Sequence, residues 1–177
     1  MSTTPVLRSL QVGDEPQLIA AHRQMAAEHF DFALGYREGM PFADYLAALE
    51  DERNGRNLSA GHVPATFLVA MLGDTLVGRL SFRHSLNDHL SRVGGHVGFG
   101  VLPEYRCRGI ATAMLRAGVE LAAELDLTEV LVTCSETNYS SSRVIERCGG
   151  RYSHTYANPS VGIPKRHYWI STGASKR

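Results

Sequence analysis

The chain has 177 residues, 44% of them hydrophobic and 20% charged, and its 18 basic and 18 acidic residues balance to a formal charge of zero. That length suits one domain with a real core, and the composition is that of a folded soluble chain rather than a disordered one. A neutral balance argues against broad electrostatic binding to nucleic acid or to an acidic membrane, while leaving room for a local basic patch that holds one anionic ligand.

The start, Met1-Ser2-Thr3-Thr4-Pro5, has neither the basic nor the apolar region of a signal peptide, and no apolar run approaches membrane-spanning length. Cys107, Cys134 and Cys148 are odd in number and widely spaced, so they suggest neither a disulfide framework nor a Cys-x-x-Cys metal site. The eight histidines show no metal spacing. These features predict a cytoplasmic protein without metal, membrane or nucleic-acid partner, with one domain over residues 1–172 and a disordered tail over 173–177.

Val6 to Val12 reads as an opening strand. Asp14, Glu15 and Pro16 give a helix start, followed by Leu18, Ile19, His22, Met25 and Ala26 at helical spacing. Phe30 to Met40 carries Gly35 and Gly39 and reads as a loop. Pro41 opens a second helix through Phe42, Tyr45, Leu46 and Leu49, ending near Asn54-Gly55, and Arg56 to Pro64 is a polar connection. Thr66 to Leu72 and Leu76 to Phe82 are β-rich runs flanking Gly73-Asp74, a hairpin turn. A third strand runs from His96 to Val101.

From Gly109 a helix is predicted with Ile110, Met114, Ala117, Gly118, Leu121 and Leu125 on one face, and Arg116 and Glu120 on another. Thr128 to Cys134 reads as a strand buried on both faces. A last helix places Ser141, Val144, Ile145 and Cys148 at i, i+3, i+4 and i+7, stopped by Gly149-Gly150. Arg151 to Tyr156 and His167 to Thr172 are closing strands.

The stretch from Val97 through Pro103 to Ala111 is a strand, a tight basic turn and a helix opened by glycine. A helix start leaves N–H groups without intrahelical partners and carries partial positive charge. With Arg106 and Arg108 alongside and no side chain at Gly109, the turn suits a phosphate-bearing ligand. A Walker loop is absent, and Pro103 stands where a dinucleotide fingerprint needs its third glycine.

Arg-x-x-Gly-x-Ala at Arg106, Gly109 and Ala111, after a strand ending Val-x-Pro, resembles the pyrophosphate motif of the GCN5-related N-acetyltransferase (GNAT) superfamily. Asn138-x-x-Ser141, continuing through Val144-Ile145-Glu146-Arg147-Cys148-Gly149, is similar to that family's late helix. The resemblance is strong from Thr66 to Tyr156 and weak before. Arg83-His84-x-x-Asn87 followed by Gly94-Gly95-His96 resembles, more narrowly, a bacterial branch of predicted acetyltransferases.

The resemblance implies an α/β (α+β) acyl-CoA N-acyltransferase fold, with a mostly antiparallel mixed sheet, splayed at a parallel strand pair and flanked by helices. It implies acetyl-CoA as cosubstrate. Backbone groups near Val101 would engage the acetyl and pantetheine arm. The amides of Cys107, Arg108, Gly109, Ile110, Ala111 and Thr112 would cradle the pyrophosphate. Asn138 and Ser141 would form the opposite wall.

The matching position for the family's acidic base is His96, whose ordinary pKa near 6.5 suits base work; a structural histidine beside Gly94-Gly95 is the alternative. Where many members have a proton-donating tyrosine, this chain has Ile145, so the general acid is unassigned. The family's loop between the first two helices covers the acceptor, and here it offers Phe30, Asp31, Phe32, Tyr36 and Arg37; Arg83, His84 and Asn87 follow the hairpin. Together they would bind a small-molecule amine or a peptide end. The reading is direct acetyl transfer to a primary amine in a ternary complex, in a chain that resembles proteins often found as homodimers. The alternatives are a CoA-binding regulatory module without catalysis, and an acyltransferase that uses a protein amine or a longer chain.

Overall fold

Alternating apolar residues build the sheets, and the 3.6-residue stripes of the helices cover them. The structure is a computed structural model and describes residues 4–157 and 162–174. Residues 1–3, read above for a leader, and 175–177, most of the expected tail, lie outside the described residues. In chain order come β1 (Val6–Arg8), α1 (Glu15–Ala26), α2 (Phe42–Arg53), β2 (Ala65–Leu72), β3 (Thr75–Arg83), β4 (Val97–Val101), α3 (Ile110–Glu124), β5 (Glu129–Ser135), α4 (Tyr139–Arg147), β6 (Arg151–Tyr156) and β7 (Lys165–Ser171).

The strands form two antiparallel sheets, ordered β1-β2-β3-β4 and β5-β7-β6. No ladder joins β4 to β5. Gly95 makes an isolated bridge to Val132, and the His96 N–H donates to the Leu131 carbonyl at 2.7 Å. A side chain at Gly95 would put its Cβ 2.6 Å from the Leu131 carbonyl oxygen, and φ there is +68°, so the approach requires glycine. The far ends, Val101 on β4 and Asn138 just past β5, both line one cleft. Both strands therefore run from the joined end toward the cleft, diverging as they go.

One core lies between the sheets and α3 and α4, around Leu80, Phe82, Met114, Val132, Ile145 and Tyr168. A second lies under α1 and α2, around Leu18, Met25, Phe32, Tyr45, Phe67 and Val69. The split sheet with helices on both sides is the expected fold.

Details differ from the sequence reading. The expected strand Val6 to Val12 stops at Arg8, because the Arg8 guanidinium donates to both Asp14 carboxylate oxygens at 2.6 and 2.8 Å and the Gln11 N–H donates to one of them. These bonds turn the chain into a short 3₁₀ segment, Val12–Asp14. On α3, Leu115 and Ala122 are buried, whereas Leu125, placed on the apolar face, lies past the helix end and is 45% exposed. A single π-helical turn, Leu90–Gly94, went unread. Asn87 Oδ1 accepts from the Leu90 N–H at 2.9 Å to start it, and the His167 Nε2–H donates to the Arg92 carbonyl at 2.7 Å to hold it on the second sheet.

Candidate active site

A cleft of about 670 Å³ opens where β4 and β5 part. One wall is the pyrophosphate turn and the start of α3. The first α3 bond runs from the Ala113 N–H to the Gly109 carbonyl, which leaves the N–H groups of Ile110, Ala111 and Thr112 ahead of it. In the turn, Cys107 has φ +60° and Gly109 φ +78°. Left-handed residues in a turn point successive N–H groups into one concavity, an anion nest, and a non-glycine residue held there is a strained position of the kind found at ligand sites.

The opposite wall is the first turns of α4. Asn138 caps that helix, its Oδ1 accepting from the Ser141 N–H at 3.0 Å. This commits the Asn138 oxygen to the cap, leaving its amide nitrogen and the Ser141 hydroxyl for the cleft they line. Val101, Arg106, Cys107, Gly109, Ile110, Ala111 and Thr112 also line it, so the structure brings together the residues expected at the cofactor site, with one exception.

The exception is Arg108, which is not on the cleft wall; its guanidinium lies over the Tyr105 ring, 5.5 Å from the centroid. Arg106 lines the cleft but is already engaged. Its guanidinium donates to both Glu28 carboxylate oxygens at 3.0 and 2.7 Å, and its Nε–H to the Val101 carbonyl at 3.0 Å. This fork holds the Glu28 carboxyl below the usual carboxylate range. The cleft instead receives Arg143 and Arg147, one helical turn apart on α4. Among the described residues neither has a carboxylate within 4.0 Å. Their i, i+4 spacing beside the apolar Val144–Ile145 stripe was a readable signal that the sequence reading passed over.

Phe30, expected on the loop that covers the acceptor, also lines the cleft. Its ring covers Gly100 so closely that a Cβ there would sit 2.5 Å from Phe30 Cζ, and its other face receives the Arg79 guanidinium at 4.5 Å.

The expectation of His96 as a base does not fit this geometry. His96 is only 6% exposed, and its Nδ1 accepts the Leu131 N–H at 2.9 Å. The neutral ring then carries its proton on Nε2 and has no lone pair left to take another. Burial, with a smaller contribution from the Arg83 charge, pushes its pKa down to about 4. His96 is a strut between the sheets, the structural alternative of the sequence reading.

The acceptor candidates have structural partners. Tyr36 packs edge-on against Tyr45 and His22. His84 Nε2 is 2.8 Å from Thr66 Oγ1, and burial lowers its pKa. Asn87, besides starting the π-turn, donates from Nδ2 to the Gly61 carbonyl at 2.8 Å. Arg83 reaches the Gly95 carbonyl at 3.1 Å. Ile145 is fully buried, consistent with a packing role. Among the described residues no group of three or more His, Cys, Asp or Glu side chains gathers to hold a metal ion, and no helix is long and apolar enough to cross a membrane.

A sheet split at its middle, an anion nest at the helix start beyond the split and a long cleft between define the acyl-CoA N-acyltransferase class of fold. The sequence profile of the acetyltransferase (GNAT) domain matches residues 6–151, and the chain belongs to that family. Among solved structures it is similar to an acetyltransferase of the GNAT family from Streptococcus pneumoniae, with 15% identity and TM-score 0.67 over 96% of this chain and 99% of that one. It is similar to the ribosomal-protein-S5-alanine acetyltransferase from Vibrio fischeri, with 14% identity and TM-score 0.70 over 97% and 94% of the two chains. It is also similar to a putative acetyltransferase from Salmonella typhimurium with its cofactor acetyl-CoA, with 14% identity and TM-score 0.64 over 98% and 96%. No curated protein matches the sequence.

Proposed function

We propose that this protein is an acetyl-CoA-dependent N-acetyltransferase that acts on a primary amine in a ternary complex. The observation that carries the reading is the nest of N–H groups from Cys107 to Thr112, set across the split from Asn138 and Ser141. A cleft of this size with an anion grip at one end and an apolar stretch at Phe99–Val101 fits a long ligand with a diphosphate, such as acetyl-CoA. Family membership and a similar structure containing acetyl-CoA support the choice.

Acetyl-CoA, when bound, supplies the activated acetyl group: the amine nitrogen bonds to its carbonyl carbon, the carbon–sulfur bond breaks, and the proton lost by nitrogen balances the thiol released. The chain's part is binding and orientation. The nest and the α3 dipole hold the diphosphate, Arg143 and Arg147 add charge along the α4 wall, and the Asn138 amide and Ser141 hydroxyl fix the arm. Glu28 is the one carboxylate among the described residues of the cleft wall, and its pairing with Arg106 makes it a weak base. The amine therefore enters neutral or gives its proton to water.

The test is CoA release from acetyl-CoA that depends on an added amine, with the product mass raised by one acetyl group. Acetyl-CoA binding with silence across amines, amino acids, polyamines and peptides would overturn the proposal. It would favour a CoA-binding module without catalysis, the reading to which the buried Ile145 also points.

A further inference from the structure

The face of the first sheet that turns toward α1 and the Phe30–Asp31 loop carries two guanidiniums that, among the described residues, make no ion pair. Strand pairing sets Arg79 opposite Gly100 and Ser81 opposite Gly98, while the Arg83 N–H bonds to the His96 carbonyl. Arg79, Ser81 and Arg83 thus share one face with the side-chain-free positions 98 and 100. Both guanidiniums lean onto β4 and its approach: Arg79 Nη1 donates to the Gly98 carbonyl at 3.3 Å and Arg83 Nη1 to the Gly95 carbonyl at 3.1 Å.

Arg79 is 5% exposed, and its Nε, fully buried, has no hydrogen-bond partner. Among the described residues neither guanidinium has a carboxylate within 4.0 Å. Asp31 and Glu52 act on Arg79 and Arg83 only at longer range, and their carboxylates lie closer to histidines, Asp31 3.7 Å from His22 and Glu52 3.5 Å from His62. The hydrogen bond from Arg79 to Asp31 goes to its backbone carbonyl, at 2.9 Å, and not to its carboxylate. A buried guanidinium without a carboxylate in contact is costly, so two such cations kept on one face favour an added anion.

Gly98 is partly exposed, and a Cβ there would meet only Arg79 Nη1, at 3.5 Å, so this position leaves the face open beside the two cations. The cleft ends on β4 at Phe99 and Gly100, so Gly98 is the next position beyond it. Two residue steps along the strand take Gly100 to Gly98, about 7 Å.

We infer that the acceptor amine carries a compact anionic group, a carboxylate or a phosphate, which Arg83 binds over Gly98 with Arg79 supplying the second charge. The inference rests on the proposed acetyl transfer at Phe99–Val101 and names its substrate class. An amine whose anion lies some three or four bonds from nitrogen spans the gap, and the fork of Arg83, half-buried and short of partners, suits either oxyanion.

The experiment compares γ-aminobutyrate, 3-aminopropylphosphonate and n-butylamine as acceptors, in the full chain and in Arg83→Gln, with Arg83→Lys as a charge-keeping variant. At least one anionic amine is expected to exceed butylamine in kcat/KM by about tenfold or more. Which of the two leads identifies the oxyanion. Arg83→Gln is expected to collapse that ratio toward one and Arg83→Lys to keep part of it. Equal use of butylamine by the unaltered protein overturns the inference while leaving acetyl transfer standing, as does a ratio that survives Arg83→Gln.

If none of the three is acetylated, calorimetric binding of γ-aminobutyrate and 3-aminopropylphosphonate to the CoA-loaded protein decides. Binding lost in Arg83→Gln supports the anion site even where the catalytic reading fails, and no binding overturns it.

Discussion

Glu28, just past α1, grips Arg106 of the pyrophosphate turn with two parallel bonds, and the same guanidinium donates from Nε to the Val101 carbonyl at the end of β4. Seventy-eight residues apart in sequence, the pair ties the end of the N-terminal helix to the wall of the cleft made by β4 and the pyrophosphate turn. The motif arginine is therefore a brace, and the cations left to face a phosphate come from α4.

Arg147→Ala is expected to weaken CoA binding by about 3- to 10-fold and to reduce its salt dependence, the range of one charge-assisted contact in a partly exposed site. Arg108→Ala, stacked outside the cleft, should change affinity by less than about twofold. Titration of CoA at two salt concentrations checks both, and a larger loss at Arg108 would refute the assignment.

Replacing His96 by alanine strips the Leu131 N–H of its acceptor inside a dry joint. Unfolding measurements should show a loss of about 1–3 kcal/mol from the orphaned donor, with any fall in turnover following the loss of folded protein. The pH dependence carries a sign. The folded pKa of about 4 lies below the ordinary 6.5, so the unfolded chain takes up a proton first as pH falls. The stability from neutral His96 is full above about 6.5 and drains between there and about 4, at up to ~1.4 kcal/mol per pH unit.

Gly100→Ala drives a Cβ to within 2.5 Å of the Phe30 ring. The ring must move, at about 1–3 kcal/mol for an overpacked contact. KM for acetyl-CoA should rise as the cleft wall shifts. In a Phe30→Ala background the same substitution should cost little, and a double-mutant cycle with no coupling would remove the contact from the account.

Ile145→Tyr tests whether a lost proton donor can be restored in place. Ile145 is fully buried, and its Cγ2 lies 2.4 Å from where a Gly150 Cβ would be, so there is no room for a larger ring. The expected result is a lower Tm and no gain in kcat; a faster enzyme would show that the aliphatic residue is a catalytic deficit.

What the sequence disclosed was what is local. The α3 start, the turn before it, the α4 helix and the β2–β3 hairpin are all encoded within a few residues, and the structure keeps them. Side-chain direction was not legible. Arg106 reads as a phosphate ligand until its distant partner Glu28 is known, and His96 reads as a base until Leu131 takes its lone pair. The π-turn Leu90–Gly94 escaped because its clamp, His167, belongs to the last strand. Phe30 was legible as an acceptor-loop residue, but not its contact with Gly100, which depends on how the loop folds back onto β4.

The Gly95–Val132 bridge and the His96 bonds fasten the two sheets at one end of the divergence and leave the other end to helix packing. Five β4 residues beyond that fastening make an arm of roughly 17 Å at about 3.3 Å each, so a rotation of ~5° at the root moves the tip by ~1.5 Å. The molecule thus has the mechanics of a clothes-peg. A disturbance at the dry joint is magnified at the jaws, and Glu28 with Arg106 stiffens the β4 jaw alone.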